Sequence, residues 1–122
     1  MMNVRQVTAS PLVYAEMNTP IHEILRLMMD YRLSALPVVD DGRRIVGMVH
    51  LHALEMGEES PDLTAVDVMT SEVICVGEDE SLSEAAWLLV QRGLDVLPVV
   101  RGGVLTGLLA RADLVRLYAL VG

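Results

Sequence analysis

The chain predicts a mixed α/β fold in which one strand–helix–strand–strand–helix (βαββα) unit is used twice, the copies related by a pseudo-twofold. Leu36-Pro37-Val38-Val39 returns as Leu97-Pro98-Val99-Val100, 61 residues later in a chain of 122. At the same spacing Glu23 falls on Glu84, Leu27 on Leu88, Leu33 on Leu94 and Gly42 on Gly103. With one residue dropped from the second turn, Gly47 meets Gly107 and Leu54 meets Leu114. Strand and helix periodicities alternate in the same order in both copies. A module of this kind places any cleft between its copies.

Arg5-Gln6-Val7-Thr8-Ala9 leads into copy one, residues 1–56. Thr19 before Pro20 opens its first helix, because proline suits a first helical turn. Ile21, Ile24, Leu25, Met28 and Met29 form the apolar stripe, with both methionines expected as core filler. Leu36–Val39 is β-rich, and Pro37 marks a strand start or edge. Asp40-Asp41-Gly42 turns the chain into a return strand, Ile45–Val49, and a short helix follows over Leu51–Met56.

Residues 57–65 read as an acidic linker containing Gly57-Glu58-Glu59-Ser60-Pro61-Asp62. Copy two, 66–122, enters through Val66–Thr70 and a buried strand over Val73–Val76. Ser81-Leu82-Ser83-Glu84 has capping-box spacing. Leu82, Ala85, Ala86, Leu89 and Val90 follow at helical spacing, and Gly93 is the C-terminal stop. Leu97–Val100, the turn Arg101-Gly102-Gly103, the strand Val104–Leu109 and a helix from Arg111 to Leu120 complete the repeat.

The chain is 52% hydrophobic, with a mean hydropathy of +0.44. No window reaches the roughly 18 apolar residues a membrane helix needs. The apolar excess therefore goes to a subunit interface or to a dense aliphatic core. Net charge is −8 and all nine basic side chains are arginine. That balance argues against a nucleic-acid partner, which needs clustered Lys and Arg, while leaving room for a small anion held locally. Met1-Met2-Asn3-Val4-Arg5 has no hydrophobic signal region, and the single Cys75 makes no internal disulfide, so a cytoplasmic protein is expected. Cys75 lies in an apolar run and reads as a small core residue. There is no lysine for a phosphate-binding Gly loop, no G-x-S-x-G elbow and no Cys–His pairing, so no enzyme is expected.

Asp67-Val68-Met69-Thr70, Leu36-Pro37-Val38-Val39-Asp40, Leu97-Pro98-Val99-Val100, Gly47-Met48-Val49-His50 and Gly107-Leu108-Leu109-Ala110-Arg111-Ala112-Asp113 occur in order over nearly the whole chain. In this the sequence resembles the cystathionine β-synthase (CBS) domain in its tandem, stand-alone form. The resemblance implies two CBS repeats packed through their sheets, a homodimer, and an inter-repeat cleft that in many relatives binds AMP, ADP, ATP or S-adenosylmethionine. It also implies an Asp early in the last helix that hydrogen-bonds the ribose hydroxyls, with a Ser or Thr three residues before it.

Mapped onto this chain, the ribose acid is Asp113, and the expected facing wall is Thr8, Val13, Leu33, Ser34 and Ala35. A carboxylate suits a vicinal diol because it accepts two hydrogen bonds. The Ser/Thr position holds Ala110, which removes about 0.5–1.5 kcal/mol of hydrogen bonding, around tenfold in affinity. In copy one the corresponding positions are Ala53 and His50, so one site is expected, not two. An acid in a first helical turn is also stabilised by the helix dipole without any ligand. Arg111 either meets a ligand phosphate at the helix start or is a solvated surface arginine. His50 and His52, read on one strand, face one way; with no third ligand identifiable, no metal site is expected. One of them lines the cleft toward ligand phosphate or packs at the dimer seam. Asp95 is expected in the other cleft, where it repels phosphate and favours a ligand of low charge. His22 is expected at the surface. Trp87, standing where copy one has Arg26, is a candidate interface anchor, with core packing as the other reading.

The expected function is a regulatory sensor that binds one adenosine derivative, dimerises, and signals to a partner protein by population shift. The alternative is a ligand-free dimerisation module with vestigial clefts.

Overall fold

The computed structural model describes residues 2–8, 12–56 and 62–121, with the side chains of residues 56 and 117–121 left aside. Most of the expected linker, 57–61, lies outside the described residues. In chain order the elements are α1 (Val4–Val7), β1 (Ala15–Glu16), α2 (Ile21–Tyr31), β2 (Ala35–Val39), β3 (Ile45–His50) and α3 (Leu51–Met56), then α4 (Ala65–Val68), β4 (Val76–Gly77), α5 (Leu82–Gln91), β5 (Val96–Arg101), β6 (Val104–Ala110) and α6 (Arg111–Val121). They form two compact units, an N-proximal one of Val13–Val73 and a C-proximal one of Met1–Leu12 with Ile74–Gly122. Each holds one three-stranded sheet, ordered β1-β2-β3 or β4-β5-β6.

The packing units are offset from the sequence repeats, because each lead-in segment folds onto the other copy's sheet. The start of the chain is tied to the C-proximal unit: Val4 N–H donates to Glu80 O (2.9 Å), Arg5 N–H to Glu78 O (3.0 Å) and Leu82 N–H to Met2 O (3.1 Å). Conversely, Ala65 N–H donates to Thr19 O (2.9 Å), Val66 N–H to Met17 O (3.0 Å) and Met48 N–H to Thr70 O (2.9 Å) in the N-proximal unit. Both lead-ins contain a one-turn helix closed by a capping box. Asn3 Oδ1 accepts from Gln6 N–H (3.2 Å) while Asn3 N–H donates to Gln6 Oε1 (2.8 Å). Thr64 N–H donates to Asp67 Oδ2 (2.8 Å).

In both sheets a proline sits inside the central strand and limits its outer neighbour. The parallel ladder runs Ala15↔Val38 and Glu16↔Val39 in one unit, and Val76↔Val99 and Gly77↔Val100 in the other. One step further back the partner is Pro37 or Pro98, which has no N–H to give. This corrects the strand expected over Val73–Val76. Only Val76 of that run belongs to β4, and Cys75 is exposed rather than core. Partial desolvation, and secondarily the Glu80 carboxylate, raise the Cys75 thiol above its ordinary pKa. The thiol is therefore protonated and a poor nucleophile at neutral pH. The antiparallel pairs β2–β3 and β5–β6 carry register shifts at matching places, Val38/Val39 and Val99/Val100. Gly102 (φ 58°) and Gly103 (φ 83°) make the two-residue turn between β5 and β6.

The core of the C-proximal unit joins Val4, Val76, Ala85, Leu89, Leu97, Val99, Leu109 and Leu114. Ser81 caps α5 by accepting from Glu84 N–H (3.2 Å). In copy one the N-cap of α2 is Pro20, the repeat equivalent of Ser81 and one residue later than the expected Thr19, whose Oγ1 instead accepts from Glu16 N–H (2.9 Å). Met28 is buried as expected, but Met29 and Val90 are 75% and 65% exposed, and neither is core. His22 is exposed.

Helices α5 and α2 are each followed by a left-handed residue, Gly93 (φ 60°) after α5 and Arg32 (φ 55°) after α2. A Cβ at Gly93 would meet nothing within 4 Å, so only backbone strain opposes it. Gly93→Ala should cost about 1 kcal/mol. Arg32→Gly, which relieves the same strain, should stabilise by up to about 1 kcal/mol. Urea denaturation of the two variants checks the opposite signs.

Candidate functional site

In the C-proximal unit β6 runs directly into α6, so the end of a buried strand positions the start of a helix. Leu108 and Leu109 are fully packed, Ala110 is half-buried, and Asp113 falls in the first turn. Ala110 N–H donates to Asp113 Oδ2 at 3.2 Å. This is one half of a capping box; the half that needs a Ser or Thr hydroxyl is missing because Ala110 has none. The bond fixes the carboxylate over the helix N-terminus, and a carboxylate has about four acceptor positions, so capping does not exhaust it.

Thr8 packs in this same unit, although it precedes copy one in sequence. Its Oγ1–H donates to Val4 O at 2.7 Å, anchored by a Val4 side chain that is fully buried. A Cβ added to Gly107 would stand 2.8 Å from Thr8 Cγ2, so the glycine is what admits the Thr8 side chain against β6. Arg111 begins α6. Its backbone N–H donates to Asp95 O (2.8 Å), and its guanidinium lies 3.7 Å from Asp95 Oδ1. Asp95 therefore sits with Arg111 in the unit that carries Asp113.

The N-proximal unit carries the remaining expected wall residues. Val13 and Ala35 are buried, Leu33 and Ser34 half-buried. Ser34 O accepts from Leu51 N–H (2.9 Å), the repeat equivalent of the Arg111–Asp95 backbone bond. At the position matching Gly107, Gly47 faces Met69, which replaces Thr8, and Ala53 stands where Asp113 would be.

His50 and His52 do not share a strand, contrary to the sequence reading: His50 ends β3 and His52 lies on α3. His50 is exposed, and His52 points to Glu55 at 3.9 Å with 84% of its side chain exposed. Among the described residues no group of three or more His, Cys, Asp or Glu side chains could hold a metal. A surface hollow of about 350 Å³, lined by Tyr14, Glu16, Asn18, Thr19, Pro20, Glu23 and Leu27, contains none of the expected site residues. Trp87 is 59% exposed, not buried in the core. No helix among the described residues is long and apolar enough to cross a membrane.

Two features escaped the sequence reading. The Val4–Thr8 anchor had a signal in the N-x-x-Q spacing of Asn3 and Gln6. The Asp95–Arg111 pair had one in the simultaneous appearance of opposite charges where copy one has Ser34 and Leu51.

Known proteins agree with this architecture. The chain is 30% identical over 95 residues to inosine-5'-monophosphate dehydrogenase from Methanocaldococcus jannaschii, covering 78% of this chain but only 19% of that enzyme. It superposes on CBSX2, solved in complex with AMP, with a TM-score of 0.85, 26% identity and coverage of 99% of this chain and 98% of that one. It also superposes on the CBS domain pair of protein MJ0100, solved with 5'-methylthioadenosine and S-adenosyl-L-methionine, with a TM-score of 0.86, 23% identity and coverage of 100% and 99%. The family model described as "CBS domain" matches twice, over residues 4–54 and 65–120, and the chain belongs to the CBS domain family as a tandem pair of repeats.

Proposed function

We propose that this CBS pair is a cytoplasmic regulatory sensor that binds one adenosine-containing ligand, from the class of AMP, ADP, ATP and S-adenosylmethionine. The observation that carries the reading is the fixed Asp113 carboxylate at the start of α6, held by Ala110 N–H. In this reading Asp113 accepts hydrogen bonds from the ribose diol with Thr8 and Arg111 of the same unit beside it, and Val13, Leu33, Ser34 and Ala35 are the further candidates, by family resemblance, for contact with the base. His50 and His52 are the secondary candidates for phosphate contact. Ala53 leaves the pseudo-symmetric position without a ribose acceptor, so the pair holds one ligand. The AMP bound by CBSX2, a relative 26% identical over nearly its whole length, supports the ligand class. The ligand favours one arrangement of the pair, which a partner protein reads. The residues above assign no catalytic step.

Thermal shift and calorimetry with AMP, ADP, ATP, S-adenosylmethionine and 5'-methylthioadenosine test this directly. At least one should bind and raise the melting temperature, as any ligand of the native state does. Silence with all of them refutes the sensor.

A second reading, a ligand-free homodimerisation module, is favoured by one observation: Trp87 and Val90, at i and i+3 on α5, are 59% and 65% exposed. Sedimentation of the wild type and Trp87→Ala tests that surface. It is compatible with the sensor if ligand also binds.

A further inference from the structure

The two lead-in helices deliver one residue each to equivalent places in their units. Thr8 is the C-cap of α1 and Met69 the C-cap of α4, and their backbone N–H groups donate back to Val4 O (3.1 Å) and Ala65 O (2.9 Å). Each side chain rests on a glycine, Gly107 of β6 or Gly47 of β3, and neither glycine could carry a Cβ without striking it. The same six-residue interval leads from Gly107 to Asp113 and from Gly47 to Ala53. Both of these residues are half-buried in the first turn of the helix that follows. Strand, glycine and helix therefore match, and the side chains differ.

The difference is one of reach and of chemistry. Thr8 meets Gly107 with one methyl, Cγ2 at 2.8 Å from the glycine's Cβ position, and its hydroxyl proton is committed to Val4 O at 2.7 Å. The hydroxyl lone pairs are what it offers a ligand. Met69 instead lays two atoms of an unbranched chain along Gly47, Sδ at 2.6 Å and Cγ at 3.0 Å from the same position. A thioether adapts to irregular gaps and fills them, and its sulfur is only a weak acceptor. Ala53 takes the ribose acceptor away from the N-proximal unit, and Met69 adds a longer, apolar chain where Thr8 would stand.

We propose that Met69 is a plug that closes the N-proximal unit to a second ligand, so that Ala53 alone does not account for the single site. This rests on the placement of the ligand beside Asp113 and Thr8 proposed above. Calorimetry with AMP, ADP, ATP, S-adenosylmethionine and 5'-methylthioadenosine as probes tests it, with a thermal melt to check the fold of each variant. Ala53→Asp should still take one ligand per chain. Ala53→Asp/Met69→Thr and Ala53→Asp/Met69→Ala should each take two, because the space matters more than the hydroxyl. Moving the plug should do the reverse. Thr8→Met should weaken binding about a hundredfold or more by overfilling the site, while Thr8→Ala, which loses one hydrogen bond, should weaken it about tenfold at most. With two double variants and one transplant, a single variant that fails to fold leaves the others to decide. Two ligands on Ala53→Asp alone, one on the folded double variants, or a Thr8→Met variant that binds as well as Thr8→Ala overturns the plug and leaves the sensor reading intact. A wild type silent toward all five probes overturns both.

Discussion

Leu97→Ala should destabilise the C-proximal unit by about 3–4 kcal/mol, within the usual range for a buried leucine cut to alanine. Leu97 has no exposed surface and shares a core with residues of α1, β4, α5, β6 and α6. A cavity bordered by so many elements cannot close by moving one of them, so most of the lost packing stays lost. Domains are stable by only about 5–15 kcal/mol, which makes this a large share. Leu97 also pairs in register with Leu109, one residue before Ala110. The same change should therefore loosen the strand that delivers Asp113. Urea unfolding followed by circular dichroism measures the loss, and a cost below 1 kcal/mol would mean the core is not arranged as described.

Gly47→Ala should cost about 3 kcal/mol and Gly107→Ala clearly less, although the two glycines are repeat equivalents. A Cβ at Gly47 would stand 2.8 Å from the backbone carbonyl of Thr70 and 2.6 Å from Met69 Sδ. Thr70 cannot withdraw cheaply, because it exchanges two backbone hydrogen bonds with Met48, at 2.9 and 2.8 Å. At Gly107 the close neighbour is a side-chain methyl, Thr8 Cγ2 at 2.8 Å, which can rotate at the cost of its hydroxyl bond to Val4 O. Gly107→Ala should accordingly move Thr8 and weaken ligand binding more than it weakens the fold. Equal stability losses at the two positions would contradict this difference.

The repeat made the fold legible because each signal rested on a local requirement. Gly102-Gly103 suits a turn with two positive φ values, Ser81 and Glu84 stand at capping distance, and Gly93 takes the left-handed stop. Expected and observed helices coincide over Leu51–Met56. The failures also have physical causes. Met29 and Val90 each follow the first residue of their helix by eight positions, about 80° round from it, at the edge of an apolar stripe and not its centre. Cys75 was misread because an apolar run looks like a strand, whereas pairing stops at Val76 where Pro98 would have to donate. The offset of packing units from sequence repeats was invisible to periodicity, since it depends on long-range bonds such as Val4 to Glu80.

For the candidate site, sequence alone singled out Asp113 and its mismatch at Ala53. It did not show that Asp113 is half of a capping box, that Thr8 packs in the Asp113 unit, or that Arg111 is held by Asp95. All three depend on contacts between residues distant in sequence or on side-chain rotamers.

The central claim is a repeated scaffold with a single ligand site at Asp113, and the stoichiometry of binding tests it most directly. Calorimetric titration of the wild type with whichever adenosine derivative binds most tightly should give one ligand per chain. The same titration of a folded Asp113→Ala variant should give none. Two ligands per chain, or one that survives Asp113→Ala, would contradict the account.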